Sequence, residues 1–162
     1  MTTSPAPPHP EHQPAQQAAP QNAASQRAKR IDFEFFESIT LRYADNDANG
    51  HVNNAHYYSF FDTAVEGYLH NRGLRQVLAA EIATPVVASA CRYFEEIAYP
   101  ATINVGVRVD HIGNTSMTYL VAIFVNQEKT ARAQGTFTTV ATARATGRPV
   151  DVPTAFRQAH GQ

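Results

Sequence analysis

The sequence predicts an α+β domain in which an antiparallel sheet packs on a single long helix. Three observations carry this. Only one stretch, beginning at Asn54, repeats its apolar residues at helical spacing over several turns. Five other stretches alternate at roughly period two, the spacing of half-buried strands. The connections between the later strands are of hairpin length, without the intervening helices that a parallel sheet requires.

Taken in order, residues 31–43 (IDFEFFESITLRY) interleave apolar with charged residues and predict a first strand. Residues 45–54 (DNDANGHVNN) are rich in Asp, Asn and Gly, which tolerate left-handed geometry and bond their own backbone, so a loop follows. Tyr57, Phe60, Phe61, Ala64, Val65, Tyr68 and Leu69 then form one apolar helical stripe. Asn53 or Asn54 can cap its start, and Gly73 suits the position just past its end.

Residues 85–99 form the next strand candidate, ended by Pro100. Residues 102–110 alternate cleanly, with Ile103, Val105, Val107 and Val109 on one side and Asn104, Arg108 and Asp110 on the other. Gly113 and Asn114 mark a turn, residues 116–126 repeat the pattern, and residues 130–144 make the last strand. Thr146-Gly147 ends it, and Pro153 can open a short terminal helix.

The first 30 residues hold six of the ten prolines, seven alanines and five glutamines, but no Phe, Tyr, Ile, Leu or Val. Such a segment cannot build a core, so residues 1–30 read as a disordered Pro/Ala/Gln-rich tail and residues 31–162 as one domain. The tail carries a net charge of +2, which leaves the domain near −3 of a total of −1. A basic footprint for nucleic acid is therefore not expected, and Arg27-Ala-Lys-Arg30 reads as the solvated end of the tail. No apolar leader follows Met1 and no run of about 18 apolar residues occurs, so a membrane span is not expected and a cytoplasmic location is.

Cys91 is the single cysteine, within an alternating strand and without a helix N-terminus beside it, so it reads as a sheet residue instead of a nucleophile. No G-x-S-x-G elbow and no phosphate-binding G-x-x-x-x-G-K-[ST] loop occurs. Asp45-Asn-Asp47-Ala-Asn49-Gly50 begins like a calcium loop, but His56 stands where the bidentate Glu belongs. His51 and His56 are five residues apart, which does not place two ligands on one helix face, and no metal is expected. Two readings of Asp45 and Asp47 stay open at this point. They can serve as turn residues that accept local backbone N–H groups. Alternatively, a carboxylate just ahead of a helix N-terminus can act as base or nucleophile beside N–H donors that polarise a carbonyl, the two components of acyl transfer.

The run Arg42-Tyr-Ala-Asp-Asn-Asp47-Ala-Asn-Gly50-His-Val-Asn-Asn54, followed by the aromatic helix YYSFFDTAVEGYL, resembles the signature of the 4-hydroxybenzoyl-CoA thioesterase-like branch of the hot-dog fold. The resemblance extends through Cys91-Arg-Tyr-Phe94 and the later strands to about Phe156. It implies a helix wrapped by a curved antiparallel sheet, paired into homodimers whose sheets join, with assembly to homotetramers in many members. It implies an acyl-CoA thioesterase without a cofactor, in which Asp47 is nucleophile or general base and the backbone N–H groups near Asn54 and Ala55 form the oxyanion site. Gly50, His51, His56 and Tyr57 would line the substrate path.

The hairpin turn at residues 112–116, which carries CoA-binding cations in the hydroxybenzoyl-specific enzymes, has no positive charge here. Arg108 or Arg148 would then meet the CoA phosphates. A histidine found in some relatives at the place of Asn54 would have its role passed to His51 or His56. The competing functional class is a hot-dog module that binds acyl groups, or serves as a structural partner, without turnover. A hydratase-type site would need its own Asp/His motif, which the chain lacks.

Overall fold

The computed structural model describes residues 26–78 and 80–161. The elements are β1 (Phe35–Thr40), α1 (Asn54–Asn71), α2 (Leu74–Val77), β2 (Ile82–Ala83), β3 (Val86–Tyr93), β4 (Thr102–Ile112), β5 (Ser116–Val125), β6 (Ala133–Val140), β7 (Thr142–Ala143) and α3 (Thr154–Gln158). Five strands form one antiparallel sheet in the order β1-β4-β5-β6-β3, with β2 and β7 as a separate two-stranded ribbon. The sheet wraps α1, which is the hot-dog arrangement.

All seven residues of the predicted helical stripe are buried, and Phe61 and Ala64 are wholly inaccessible. They pack against Ile103, Val105, Val107, Tyr119, Val121 and Ile123 of β4 and β5. The Asn53 side chain accepts the N–H of Ala55 at the start of α1, and Gly73 takes φ +67° just beyond its end. The sheet comes close to α1 at Gly135, where a Cβ would collide with the Ala90 carbonyl and lie 3.1 Å from Phe61 Cε2. Close approach is thus what glycine permits at this point of β6.

The first strand is shorter than its sequence pattern. Tight turns at residues 30–32 and 43–45 bracket it, each closed by an aspartate (Asp32 or Asp45) that accepts the backbone N–H three residues earlier. The third ends at Tyr93, because Phe94 and Glu95 turn their N–H groups to the Arg132 carbonyl instead of continuing the ladder. The last predicted strand divides into β6 and β7 at Ala141, whose N–H bonds Thr115.

A second correction concerns the predicted tail. Residues 1–25 lie outside the described residues, but Arg27–Arg30 belong to the domain. Arg27 donates to the Ala131 carbonyl and pairs with Glu95 at 2.7 Å, while Lys29 bridges Thr130. The Arg30 guanidinium lies 4.6 Å from the centroid of Phe36 and 5.7 Å from that of Phe124. Here cations cover aromatic rings with their planes and stems instead of extending into water. Ala28 and Phe33 consequently close a second apolar cluster with Ala122, Phe124 and Ala131 on the outer face of the sheet. That is why β5 is buried on both faces near its end.

Candidate active site

The loop between β1 and α1 is tied to the segment after β3 at two points, where Val52 N–H donates to Ile97 O and Tyr99 N–H to the Asn46 side chain, and it is closed on itself by Asn53 N–H donating to Asp45 O. Within the loop Asp47 N–H donates to His51 O and Gly50 N–H to Asp47 O. Gly50 has φ +88° with open space around its Cβ position, so its constraint is backbone conformation alone. Gly50→Ala should therefore cost about 1–2 kcal/mol of stability, checked by urea denaturation.

The two motif aspartates have separate jobs. Asp45 is 1% exposed; its Oδ1 accepts Arg42 Nη2 at 2.7 Å and Nε at 3.1 Å, and its Oδ2 accepts Arg42 N–H at 2.7 Å. Burial opposes ionisation, but the guanidinium, the backbone N–H and the charge of Arg42 together outweigh it and hold this carboxyl below the usual aspartate range. Asp45→Ala removes the acceptor of a partly buried N–H and should cost about 1–3 kcal/mol by chemical denaturation. Because the folded carboxyl titrates lower than the unfolded one, this contribution is complete above the ordinary value near 3.8 and is lost as pH falls through the folded value.

Asp47 is half-buried, and its Oδ1 accepts Asn49 N–H at 2.8 Å. Its Oδ2 has no partner among the described residues. Both aspartates thus accept local backbone N–H groups, as turn residues do. Only Asp47 retains an unengaged carboxylate oxygen and no neighbouring cation.

Beside the N-terminus of α1 lies a cavity of about 290 Å³ lined by His51, Val52, Asn54, Tyr57, Tyr93, Phe94, Glu95 and Glu96. Tyr93 donates its hydroxyl to Asn54 O at 3.3 Å and stands perpendicular to Tyr57 with ring centroids 4.8 Å apart. His51 Nε2 lies 3.3 Å from Glu96 Oε1. Burial pushes the Tyr57 phenol up to about 12, so it remains a proton donor near neutrality. Burial likewise pushes the Cys91 thiol up to about 11, which agrees with a sheet residue and not a nucleophile.

The structure thus gathers His51, Asn54 and Tyr57, with Gly50 and Asp47 in the adjoining loop. It parts three expected groups from them. His56 stacks at 6.5 Å on Phe60, one helical turn along α1, because the first residues of a helix fan out around its axis. Arg108 is on the outer face of the sheet, 3.8 Å from Asp110, because strand alternation turns it away when Val107 and Val109 face α1. Ala55 N–H is engaged by the Asn53 cap at 2.9 Å, whereas Asn54 N–H makes no hydrogen bond among the described residues.

Sequence reasoning gave no site role to Tyr93 or Glu96. Their signal is the run of aromatic and acidic residues where a strand stops without a turn motif, which is legible only once β3 is known to end beside α1. Among the described residues no three His, Cys, Asp or Glu side chains converge to hold a metal, and no helix is long and apolar enough to cross a membrane.

The chain is 42% identical to the PA5185 protein of Pseudomonas aeruginosa strain PAO1, whose crystal structure aligns over 83% of this chain and 94% of that one with a TM-score of 0.76. The DHNA-CoA thioesterase of Staphylococcus aureus shares the fold at 21% identity, over 78% of this chain and 87% of that one, with a TM-score of 0.70. The Bacillus subtilis protein YsmA is 22% identical over 89 residues, so the match spans 55% of this chain and 60% of YsmA. A family model matches residues 41–160, and on that match the chain belongs to the thioesterase-like superfamily.

Proposed function

We propose that the protein hydrolyses an acyl-CoA thioester to free acid and thiol, with Asp47 as general base on a water or as nucleophile. Membership of the thioesterase-like superfamily supports thioester hydrolysis in general. The observation that carries the finer reading is that the loop leading into the 18-residue α1 keeps an unengaged Asp47 carboxylate oxygen and the helix start keeps an unengaged Asn54 N–H. A thioester carbonyl bound there would direct its oxygen to the positive end of α1, where developing negative charge is stabilised. Asn54 N–H is the first donor, and Ala55 N–H assists only by sharing its bond to Asn53. The leaving thiolate needs little protonation, so one carboxylate suffices.

Two chains joined through β3 form the functional unit in this reading, and no metal or cofactor takes part. The test is free-thiol release over short-chain, long-chain and aromatic acyl-CoAs. Thiol release from at least one ester supports hydrolysis. Saturable binding of these esters by calorimetry without release would instead identify a non-catalytic acyl-binding module.

A further inference from the structure

A second cleft lies at the other end of β3, on the same side of the sheet as α1. It is lined by Glu66, Arg75, Ile82, Thr84, Pro85 and Arg144 and holds about 530 Å³. Arg75 is engaged by Glu66 and by Thr84 Oγ1. Arg144 donates its backbone N–H to Glu81 O, but its exposed guanidinium makes no ion pair among the described residues. The cleft therefore presents an unpaired cation with no ligand assigned to it.

Its position acquires meaning from the edge of the sheet. Among the described residues β3 pairs only with β6, and Val86 and Val87 are 44% and 58% exposed. From residue 86 to residue 91 it carries no charge, whereas the other edge strand, β1, carries Glu37. A long uncharged edge is a template for another strand. The self-complementary occupant is a second copy, with β3 pairing antiparallel to itself about a twofold axis. Such an axis through the middle of an eight-residue strand exchanges its ends. Thr84 and Pro85 of one chain then come beside Phe94 and Glu95 of its partner.

We infer that Arg144 reaches across this twofold to the partner's α1 N-terminal cavity and binds an anionic group of the substrate there. The inference rests on the acyl-CoA reading above for its ligand. The anion is a CoA phosphate or a carboxylate on the acyl chain, and the cation supplies what Arg108, on the far face of the sheet, does not.

Binding separates these cases without relying on turnover. Calorimetry with S-hexyl-CoA, neutral S-hexyl-N-acetylcysteamine and S-(5-carboxypentyl)-N-acetylcysteamine compares the full-length protein with Arg144→Gln and Arg144→Lys. The ratio of charged-probe to neutral-probe affinity should fall about tenfold or more in Arg144→Gln, with Arg144→Lys restoring part of it. A fall confined to the CoA probe assigns a phosphate, and one confined to the carboxypentyl probe assigns a carboxylate. An unchanged ratio for both would overturn the inference.

The cross-subunit element is tested in Val87→Lys, which sets a second cation opposite the partner's Arg92 and should sediment as a monomer. In that background Arg144→Gln should have no further effect on either ratio. A Val87→Lys protein in which Arg144→Gln still lowers the ratio, or which remains dimeric, contradicts action across the twofold. If Asp47→Asn hydrolyses esters like the wild type, the functional reading fails while the Arg144 ratios still stand or fall by themselves.

Discussion

Phe61→Ala should lower the unfolding free energy by about 3–5 kcal/mol. Phe61 is wholly inaccessible at the centre of α1, edge-on to Tyr58 at 6.2 Å and facing the bare backbone of Gly135. Its removal therefore leaves a void that cannot collapse, because the sheet is held by ladder bonds on either side of β6. The transfer and cavity contributions add, and together they represent a large share of the ~5–15 kcal/mol stability of a small domain. Urea denaturation reads the effect as a lower midpoint with an unchanged slope. Ile31→Ala, at a residue 88% exposed, is the control and should stay within about 0.5 kcal/mol of wild type.

Asp47→Asn should reduce kcat about 10²–10⁴-fold, the usual contribution of a positioned acid or base. The amide keeps the local geometry, since its oxygen can still accept Asn49 N–H as the carboxylate does. It loses the charge needed to accept a proton from water or to attack a carbonyl. Stability should therefore be nearly unchanged and affinity for S-hexyl-CoA should stay close to wild type, because the helix N-terminus and the Tyr57 and Tyr93 walls remain. Asp45→Asn should behave oppositely, losing stability first, since Asp45 holds the Arg42 turn from a buried position. The pair distinguishes chemistry from architecture within one motif.

The helix and its ends were legible in the sequence because periodicity and capping are local properties. The Tyr57-to-Leu69 stripe, the Asn53 cap and the Gly73 stop all stand where spacing placed them. Alternation in residues 102–110 also indicated that Arg108 faces away from Val107, and the fold honours this by setting it beside Asp110. What was not legible depends on contacts across the chain. Nothing local tells Asp45 from Asp47, as both are turn formers, and only the burial of Asp45 in the folded domain and its hold on Arg42 separate them. Arg27–Arg30 looked like tail because their partners, Ala131 O, Glu95, Phe36 and Phe124, lie elsewhere in the sequence. The same distance hid Tyr93, whose reach to Asn54 spans 39 residues.

The most direct test of the account is steady-state thiol release by wild-type and Asp47→Asn protein, side by side on one acyl-CoA panel, with both shown to be folded. The account predicts turnover of at least one ester by the wild type and its loss by about 10²-fold or more in the variant. Equal turnover by the two proteins would contradict the assignment of Asp47 to the chemistry.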